Sequence, residues 1–256
     1  MTIKAVVPVS GGKDSQACLV LAVKEFGADN VLGLFCDTKF EHPETYNHVD
    51  RMRSLYGVKI ETVCAGAVEE KVLKYRRFPG GGARHCTDEL KIRPSKKFYK
   101  ALAEHQGGFQ VWYGMRSDES PERDKRYRGK TSADLYAPHD VLPKYPKYLE
   151  AIGVMFRLPI LEWSRREVFD LLAGHENPLY KNGFDRVGCF PCLAGGDASK
   201  ERAFAFDDFG REQYIRVQYM EEIIGKSVFT SKGGATRNNP SQGRLFDGSG
   251  CQFCEI

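Results

Sequence analysis

Apolar and polar residues fall into short alternating blocks along the first two-thirds of the chain, and the period of the blocks switches between two and about 3.6. Apolar runs with strand character cover Lys4–Val9, Val31–Cys36, Lys59–Val63 and Phe109–Tyr113. Between them, helical spacing predicts helices over Gln16–Phe26, Pro43–Tyr56, Val68–Tyr75 and Ile92–His105. After Leu158-Pro-Ile-Leu161 a further helix is expected over Ser164–Ala173, with Ser164 as N-cap and Glu167 three residues on as its capping-box partner. Strand and helix in alternation imply an α/β domain: a doubly wound, mainly parallel sheet with helices on both faces. In such sheets ligands sit beyond the carboxyl ends of the strands.

Two segments break the pattern. Phe78–Ala83 is Gly-rich without periodicity, and Asp118–Pro146 is polar, basic and Pro-containing, which predicts a long loop or lid. From Gly183 onward two Cys-x-x-Cys knuckles flank a helix over Gln213–Ile224 and a Gly/Asn/Ser-rich stretch, Gly233–Gly250. The expected organisation is a nucleotide-binding α/β domain over residues 1–183 and a small Cys-rich, metal-stapled C-terminal appendage over 184–256.

With 256 residues, 41% hydrophobic and 28% charged, the chain has the make-up of an ordinary globular protein large enough for one good core. No run reaches the roughly 18 apolar residues of a membrane span, so no membrane partner is expected. The first apolar run is a short strand rather than a signal peptide, and the expected location is cytoplasmic. A net charge of +4 permits a polyanionic partner without demanding one. Eight cysteines in a reducing compartment favour metal or redox chemistry over a disulfide scaffold.

The chemistry begins where the first strand ends, at Ser10-Gly11-Gly12-Lys13-Asp14-Ser15. Glycines let backbone N–H groups approach an anion, Ser10 and Ser15 add hydroxyls, Lys13 adds a mobile cation, and the following helix points its positive end at the same spot. The alternative is a plain Gly-rich turn. The spacing is not that of a G-x-x-x-x-G-K-[ST] loop. The hexapeptide resembles the PP-loop of the ATP-pyrophosphatase superfamily, whose members split ATP between the α and β phosphates or bind an adenylyl sulfate in the same cradle.

Further segments resemble one branch of that superfamily, the phosphoadenosine-phosphosulfate (PAPS) reductase family. Asp37-Thr38-Lys39, followed by Pro43-Glu44-Thr45, is similar to its "DTG-x-x-x-PET" segment, with Lys39 where Gly is usual. Cys86 through Lys91 to Pro94 is similar to "C-x-x-x-x-K-x-x-P". Trp112-Tyr113-Gly114-Met115-Arg116, with Glu119-Ser120 and Arg123, is similar to "W-x-G-x-R-x-x-E-S-x-x-R". Leu158-Pro-Ile, Trp163 and the turn Asn177–Gly183 also fit, so the resemblance covers about residues 3–195. It implies a nucleotide cradle made of Ser10, Gly11, Gly12, Lys13, Asp14, Ser15, Asp37, Lys91, Arg116 and Arg123, with Lys13, Asp14 and Arg116 as the catalytic set. Arg116 and Arg123 suit bidentate contacts to phosphate oxygens, and Lys13 and Lys91 act as point charges. With ATP, Mg²⁺ is expected, Asp14 or Asp37 being candidate ligands.

Cys189-Phe-Pro-Cys192 and Cys251-Gln-Phe-Cys254 make two pairs with metal-ligand spacing, whereas Cys18, Cys36 and Cys64 lie in apolar segments and read as core thiols. Four thiolates accept a [4Fe–4S] cluster or Zn²⁺; the cluster is preferred, and Cys86 is an additional candidate ligand. Gly188-Cys189-Phe-Pro-Cys192 resembles half of the cluster site of adenylyl-sulfate reductases, whose partner Cys-Cys pair is here His85-Cys86.

The resemblance implies an enzyme acting at the phosphate end of an adenine nucleotide in sulfur metabolism. The preferred reaction is ATP pyrophosphatase or adenylyl transfer that activates a substrate, DNA or RNA among the candidates, for sulfur insertion. That resembles the ATPases of DNA phosphorothioation, with a cysteine desulfurase or other sulfur donor as partner. The alternatives are a sulfonucleotide reductase acting on PAPS or adenylyl sulfate, whose family members carry an "E-C-G-L-H" tail that this sequence lacks, and a non-catalytic nucleotide-binding subunit.

Overall fold

The computed structural model describes residues 2–80 and 84–229. In chain order its main elements are β1 (Ala5–Val9), α1 (Lys13–Phe26), β2 (Val31–Asp37), α2 (Pro43–Tyr56), β3 (Lys59–Cys64), α3 (Val68–Tyr75), α4 (Arg93–Gln106), β4 (Phe109–Trp112), α5 (Pro121–Tyr127), β5 (Val154–Arg157), α6 (Arg165–Leu172), α7 (Asp197–Phe204) and α8 (Asp208–Ile224). The chain divides into two compact units: Met1–Gly66 with Thr87–Gly188, and Ala67–Cys86 with Cys189–Ile256, described as far as Phe229.

The first unit holds a five-stranded sheet in the order β3-β2-β1-β4-β5, parallel throughout. One face packs Ala5, Val7 and Val9 of β1 against Leu19 and Ala22 of α1, Met52 of α2 and Leu172 of α6. The other packs Val6, Leu34 and Val111 against Tyr99 of α4, Tyr127 of α5 and Phe156 of β5. Alternate side chains of β1 thus enter opposite cores, the doubly wound arrangement expected of a buried parallel strand.

Pro8 shapes the sheet at its centre. β1 pairs with β2 along its whole length, Ala5↔Val31 to Val9↔Phe35, but with β4 only at Ala5↔Gln110 and Val6↔Val111. A proline has no N–H to offer a second neighbour, so a crevice opens between the carboxyl ends of β1 and β4, where the strand order reverses.

Local signals agree with the helices formed. His42 caps α2 by accepting from the Glu44 N–H at 3.0 Å, Pro43 follows at the first helical position, and Gly57 ends the helix with φ +62°. The capping box of Ser164 and Glu167 opens α6 as expected. Two features depart from expectation. β5 is a fifth strand that the apolar pattern does not announce. Asp118–Pro146 is not an open loop: it carries α5 and a short helix (Pro138–Val141), and buries Tyr127, Val141 and Tyr145 in the core.

In the second unit α3 is tied to α8 by Glu69 and Arg216, 2.7 Å apart, and the Gln213 amide donates to the Phe190 carbonyl at 3.0 Å. Buried Lys200 donates to Asp197 and to the Val228 carbonyl. Among the described residues no helix is long and apolar enough to cross a membrane.

Candidate functional site at the first strand-to-helix turn

The turn after β1 is closed by the Ser15 hydroxyl, which accepts the Ser10 N–H at 3.1 Å, donates to the Gly12 carbonyl at 2.9 Å and lies 3.2 Å from the Ser10 hydroxyl. Gly11 has φ +74°, and a Cβ there would come within 2.5 Å of the Thr45 methyl, so a side chain is excluded by both conformation and space. Gly12 starts α1 with no side-chain cap, leaving first-turn amides and the positive helix end directed at the cleft. The turn is braced from the far end of the unit. Buried Asn177 donates to the Gly11 carbonyl at 3.3 Å, and the Tyr180 hydroxyl accepts the Lys13 N–H at 3.0 Å. Burial raises the Tyr180 phenol above its ordinary range, which keeps it protonated.

One carboxylate organises the cations. Asp14 accepts from Lys13 Nζ at 2.8 Å and from Arg116 Nε at 2.6 Å, while Arg116 also pairs with Asp118. Arg116 is 3% exposed. Burial alone would lower its pKa; Asp14 and Asp118 outweigh that and raise it. Gly114 sets the approach: a Cβ there would lie 2.7 Å from the Asp14 carbonyl carbon and oxygen, so the segment that follows β4 delivers Arg116 by touching the first turn of α1 with bare backbone.

These residues line one cleft of about 640 Å³, shared by Ser10, Gly12, Lys13, Asp14 and Ser15 with Lys91, Arg116 and Arg123. Arg123 pairs with Glu119. Two further arginines absent from the sequence-based set, Arg165 and Arg186, also line it, paired with Asp185 at 2.9 Å and Glu119 at 3.5 Å. Among the described residues, six cations and five carboxylates therefore face the same space. An entering polyanion would exchange carboxylate partners for phosphate oxygens rather than meet a bare positive field.

Another part of the cleft carries a thiol and phenols, with Lys91 and Glu41 near Cys36. The Cys36 thiol lies 3.4 Å from the Ser95 hydroxyl, and the Tyr113 and Tyr145 hydroxyls are 2.5 Å apart. The Tyr99 hydroxyl is 3.3 Å from that of Tyr113. Burial pushes Tyr145 up to about 12 and raises Cys36, so these groups meet a ligand as neutral donors and acceptors. Cys36 is consequently a cleft residue and Cys64 an exposed one; of the three expected core thiols only Cys18 is buried.

Asp37 is not among the residues lining the cleft. Its carboxylate accepts from the Lys39 amide at 2.8 Å, the Tyr46 hydroxyl at 2.8 Å and Lys39 Nζ at 2.7 Å. Burial would raise its pKa, but these hydrogen bonds hold it low. Lys39 has φ +58°, a conformation that glycine adopts without strain. Asp37 thus holds the turn between β2 and α2.

Cys86, Cys189 and Cys192 all belong to the second unit, Cys192 exposed and the other two half-buried. Among the described residues no three His, Cys, Asp or Glu side chains form a group able to hold a metal ion. Cys251 and Cys254 lie outside the described residues.

The model of the phosphoadenosine phosphosulfate reductase domain matches residues 4–194. The chain belongs to this family. Relatives include an uncharacterised Methanocaldococcus jannaschii protein, 32% identical over 191 residues that make up 73% of this chain and 36% of that one. An uncharacterised protein of Escherichia phage 186 is 27% identical, covering 90% of this chain and 78% of its own length. An adenosine 5'-phosphosulfate reductase of Rhodococcus erythropolis is 26% identical, covering 63% of this chain and 58% of its own. The chain therefore spans about a third of the first of these and little more than half of the third. Among solved structures, a phosphoadenylyl-sulfate reductase of Candida auris in its phosphate complex superposes with TM-score 0.47 at 16% identity, over 73% of this chain and 81% of that one.

Within the family frame, the turn at Ser10–Ser15, Lys91, Arg116 and Arg123 come together in one cleft. Arg165, Arg186 and Tyr145 carry no assignment from the sequence, Tyr113 and Tyr180 appear there only within family segments, and Cys36 only as an expected core thiol. For Tyr180 a signal existed, since its Asn177–Gly183 turn matches a family segment. Tyr145 has none, because its neighbours are the polar residues of an apparent loop.

Proposed function

We propose that this PAPS-reductase-family protein is an ATP pyrophosphatase that adenylylates a substrate for sulfur insertion. The clamp of Asp14 on both Lys13 and Arg116, at the uncapped start of α1, is the observation that carries this reading. A substrate oxygen attacks the α-phosphate, the new P–O bond forms as the α–β bridge breaks, and pyrophosphate leaves. Sulfur then displaces AMP from the activated position. The loop amides and the Ser10 and Ser15 hydroxyls hold the departing phosphates, and Lys13, Arg116 and Arg123 offset the charge that develops there. Mg²⁺ would travel with the nucleotide and offset charge on its phosphate oxygens, with Asp14 the carboxylate at hand. A nucleic-acid backbone, DNA or RNA, is the proposed acceptor, and a cysteine desulfurase or similar protein the proposed sulfur source.

Cys189 and Cys192, with Cys251 and Cys254, are proposed to hold a [4Fe–4S] cluster, Zn²⁺ being the alternative and Cys86 an additional ligand candidate. An accessible Cys192 beside a half-buried Cys189 suits a thiolate pair that must meet ligands from elsewhere in the chain. A bound cluster would supply sulfur or electron handling. Elemental analysis and the visible spectrum of anaerobically purified protein, with and without Cys189→Ser, test this assignment.

A second reading, sulfonucleotide reduction, is favoured by the several adenosine 5'-phosphosulfate reductases among the relatives. One experiment separates the two. Protein with ATP, Mg²⁺ and an oligonucleotide is assayed for pyrophosphate, and in parallel with adenylyl sulfate and thioredoxin for sulfite. Pyrophosphate release abolished by Lys13→Ala supports the first reading. Sulfite release without pyrophosphate replaces it with the second, and binding without turnover of either rejects both.

A further inference from the structure

The cations of the cleft grade outward. The side chains of Lys13 and Arg116 are only 6% and 4% exposed, that of Arg123 is intermediate, and those of Arg165 and Arg186 reach 50% and 75%. The reaction proposed above uses neither of the outer two. Both are nevertheless built into the wall. Arg165 opens α6, where its own N–H donates to Asp118 Oδ2 at 3.2 Å, and its guanidinium lies 5.6 Å from the centre of the Phe169 ring. Phe169 meets Tyr180 edge-on at 5.4 Å, and Lys13 Nζ lies 5.6 Å from the centre of the Tyr180 ring. Two aromatic rings thus link the outer cations to the inner ones. Arg186 is carried by a segment pressed on the phosphate turn, since a Cβ on Gly12 would lie 3.2 Å from the Val187 carbonyl oxygen.

Glu119 repeats at the mouth what Asp14 does at the floor: one oxygen pairs with Arg123 and the other lies 3.5 Å from Arg186. Asp185 holds Arg165 at 2.9 Å. Exposed ion pairs contribute little, so both outer arginines give up their carboxylates at small cost. A phosphate offers each planar fork a charge-assisted, bidentate partner in return. With the nucleotide's phosphates at the turn, an acceptor enters past these two side chains. The row of cations also continues outside the cleft, because exposed Arg126 stands three residues beyond Arg123 on α5. A single phosphate needs no such extension, whereas a strand with repeating phosphates does. Phosphate contacts of this kind fix the register of a strand without reading its sequence.

Given the proposed adenylylation of a nucleic acid, on which this rests, we infer that Arg165 and Arg186 form a second phosphate subsite that positions a backbone phosphate of the acceptor strand at the cleft mouth. Anisotropy of a labelled single-stranded dodecanucleotide on the full chain, with a non-hydrolysable ATP analogue present, tests it. Arg165→Gln/Arg186→Gln is expected to bind the strand at least about tenfold more weakly, with a salt slope lower by about 0.7. The same variant holds the analogue within about twofold of wild type by calorimetry. As a control, Arg166→Gln/Lys181→Gln removes equal charge from exposed positions that do not line the cleft, and stays within about threefold on the strand. An equal loss in the control, no loss in the first variant, or a wild type that leaves the strand unbound overturns the subsite. So does analogue affinity that falls as far as strand affinity, since the arginines would then serve the nucleotide. A wild type that leaves the analogue unbound removes the ATP reading by itself, and the strand titration, run without nucleotide, still decides the arginines.

Discussion

Asp14 Oδ1 lies 2.6 Å from Arg116 Nε, across 102 positions of sequence, and the same carboxylate holds Lys13 Nζ at 2.8 Å. Both cations are therefore aimed before any nucleotide arrives. Under the proposed function, such a clamp holds both cations beside the turn until an anion takes over from the carboxylate.

Arg116→Lys keeps the positive charge and loses the planar fork. Its pyrophosphatase kcat/KM is expected to fall by about a hundredfold while the fold survives. Asp14→Ala leaves the buried Arg116 guanidinium with Asp118 as its remaining carboxylate partner and is expected to cost about 2 kcal/mol in urea unfolding as well as activity. Wild-type turnover in Arg116→Lys would remove that residue from the proposed set.

Tyr180→Phe probes the brace. The phenol accepts the Lys13 N–H, which leaves its own proton free to donate into the cleft. Loss of one hydrogen bond to a charged ligand is expected to weaken binding of a non-hydrolysable ATP analogue by about tenfold, as read by calorimetry. Unchanged affinity would mean that Tyr180 serves the turn alone.

At Lys39 the comparison is between two replacements. Glycine and alanine both lose the Lys39–Asp37 pair, which is exposed on the lysine side, but only glycine relieves the positive φ. Lys39→Gly is expected to exceed Lys39→Ala in stability by about 1 kcal/mol in urea titrations. Equal stabilities would show that the turn relaxes to a negative φ.

His48 gives the fold a pH dependence. Its ring lies 2.9 Å from Gln16 Oε1, and burial, helped by Arg51, lowers its pKa to about 4 from an ordinary 6.5. Between those values the unfolded chain takes up a proton that the folded chain refuses. Stability conferred by the neutral ring is complete above pH 6.5 and declines towards pH 4, by at most about 3 kcal/mol. Unfolding measured at pH 7 and 4.5 should show a steeper loss in wild type than in His48→Gln. Parallel losses would place the acid sensitivity elsewhere.

The sequence carried the sheet and the phosphate turn because both rest on local rules. β1, β2 and β4 are largely buried apolar runs between helical repeats, β3 is a more exposed strand carrying Ile60 and Val63, and Ser10–Ser15 contains its own glycines, hydroxyls and cation. β5 escaped because Val154–Arg157 is only four residues long and includes Met155 and Arg157, so no period is visible. The thiol and phenol part of the cleft escaped because it exists only through packing: Tyr113 and Tyr145 meet across 32 positions, the second from a stretch whose composition resembles a surface loop. α3 likewise shows no sign in sequence of joining α8, since Glu69 and Arg216 are 147 positions apart.

Bare backbone at Gly114 has a mechanical meaning. With no side chain there to compress or rotate, a shift of β4 cannot be absorbed before it reaches α1. A ligand pressing on the β4 side of the crevice would therefore be felt at the first turn of α1. The strand side and the helix side of the turn thus move as one joint.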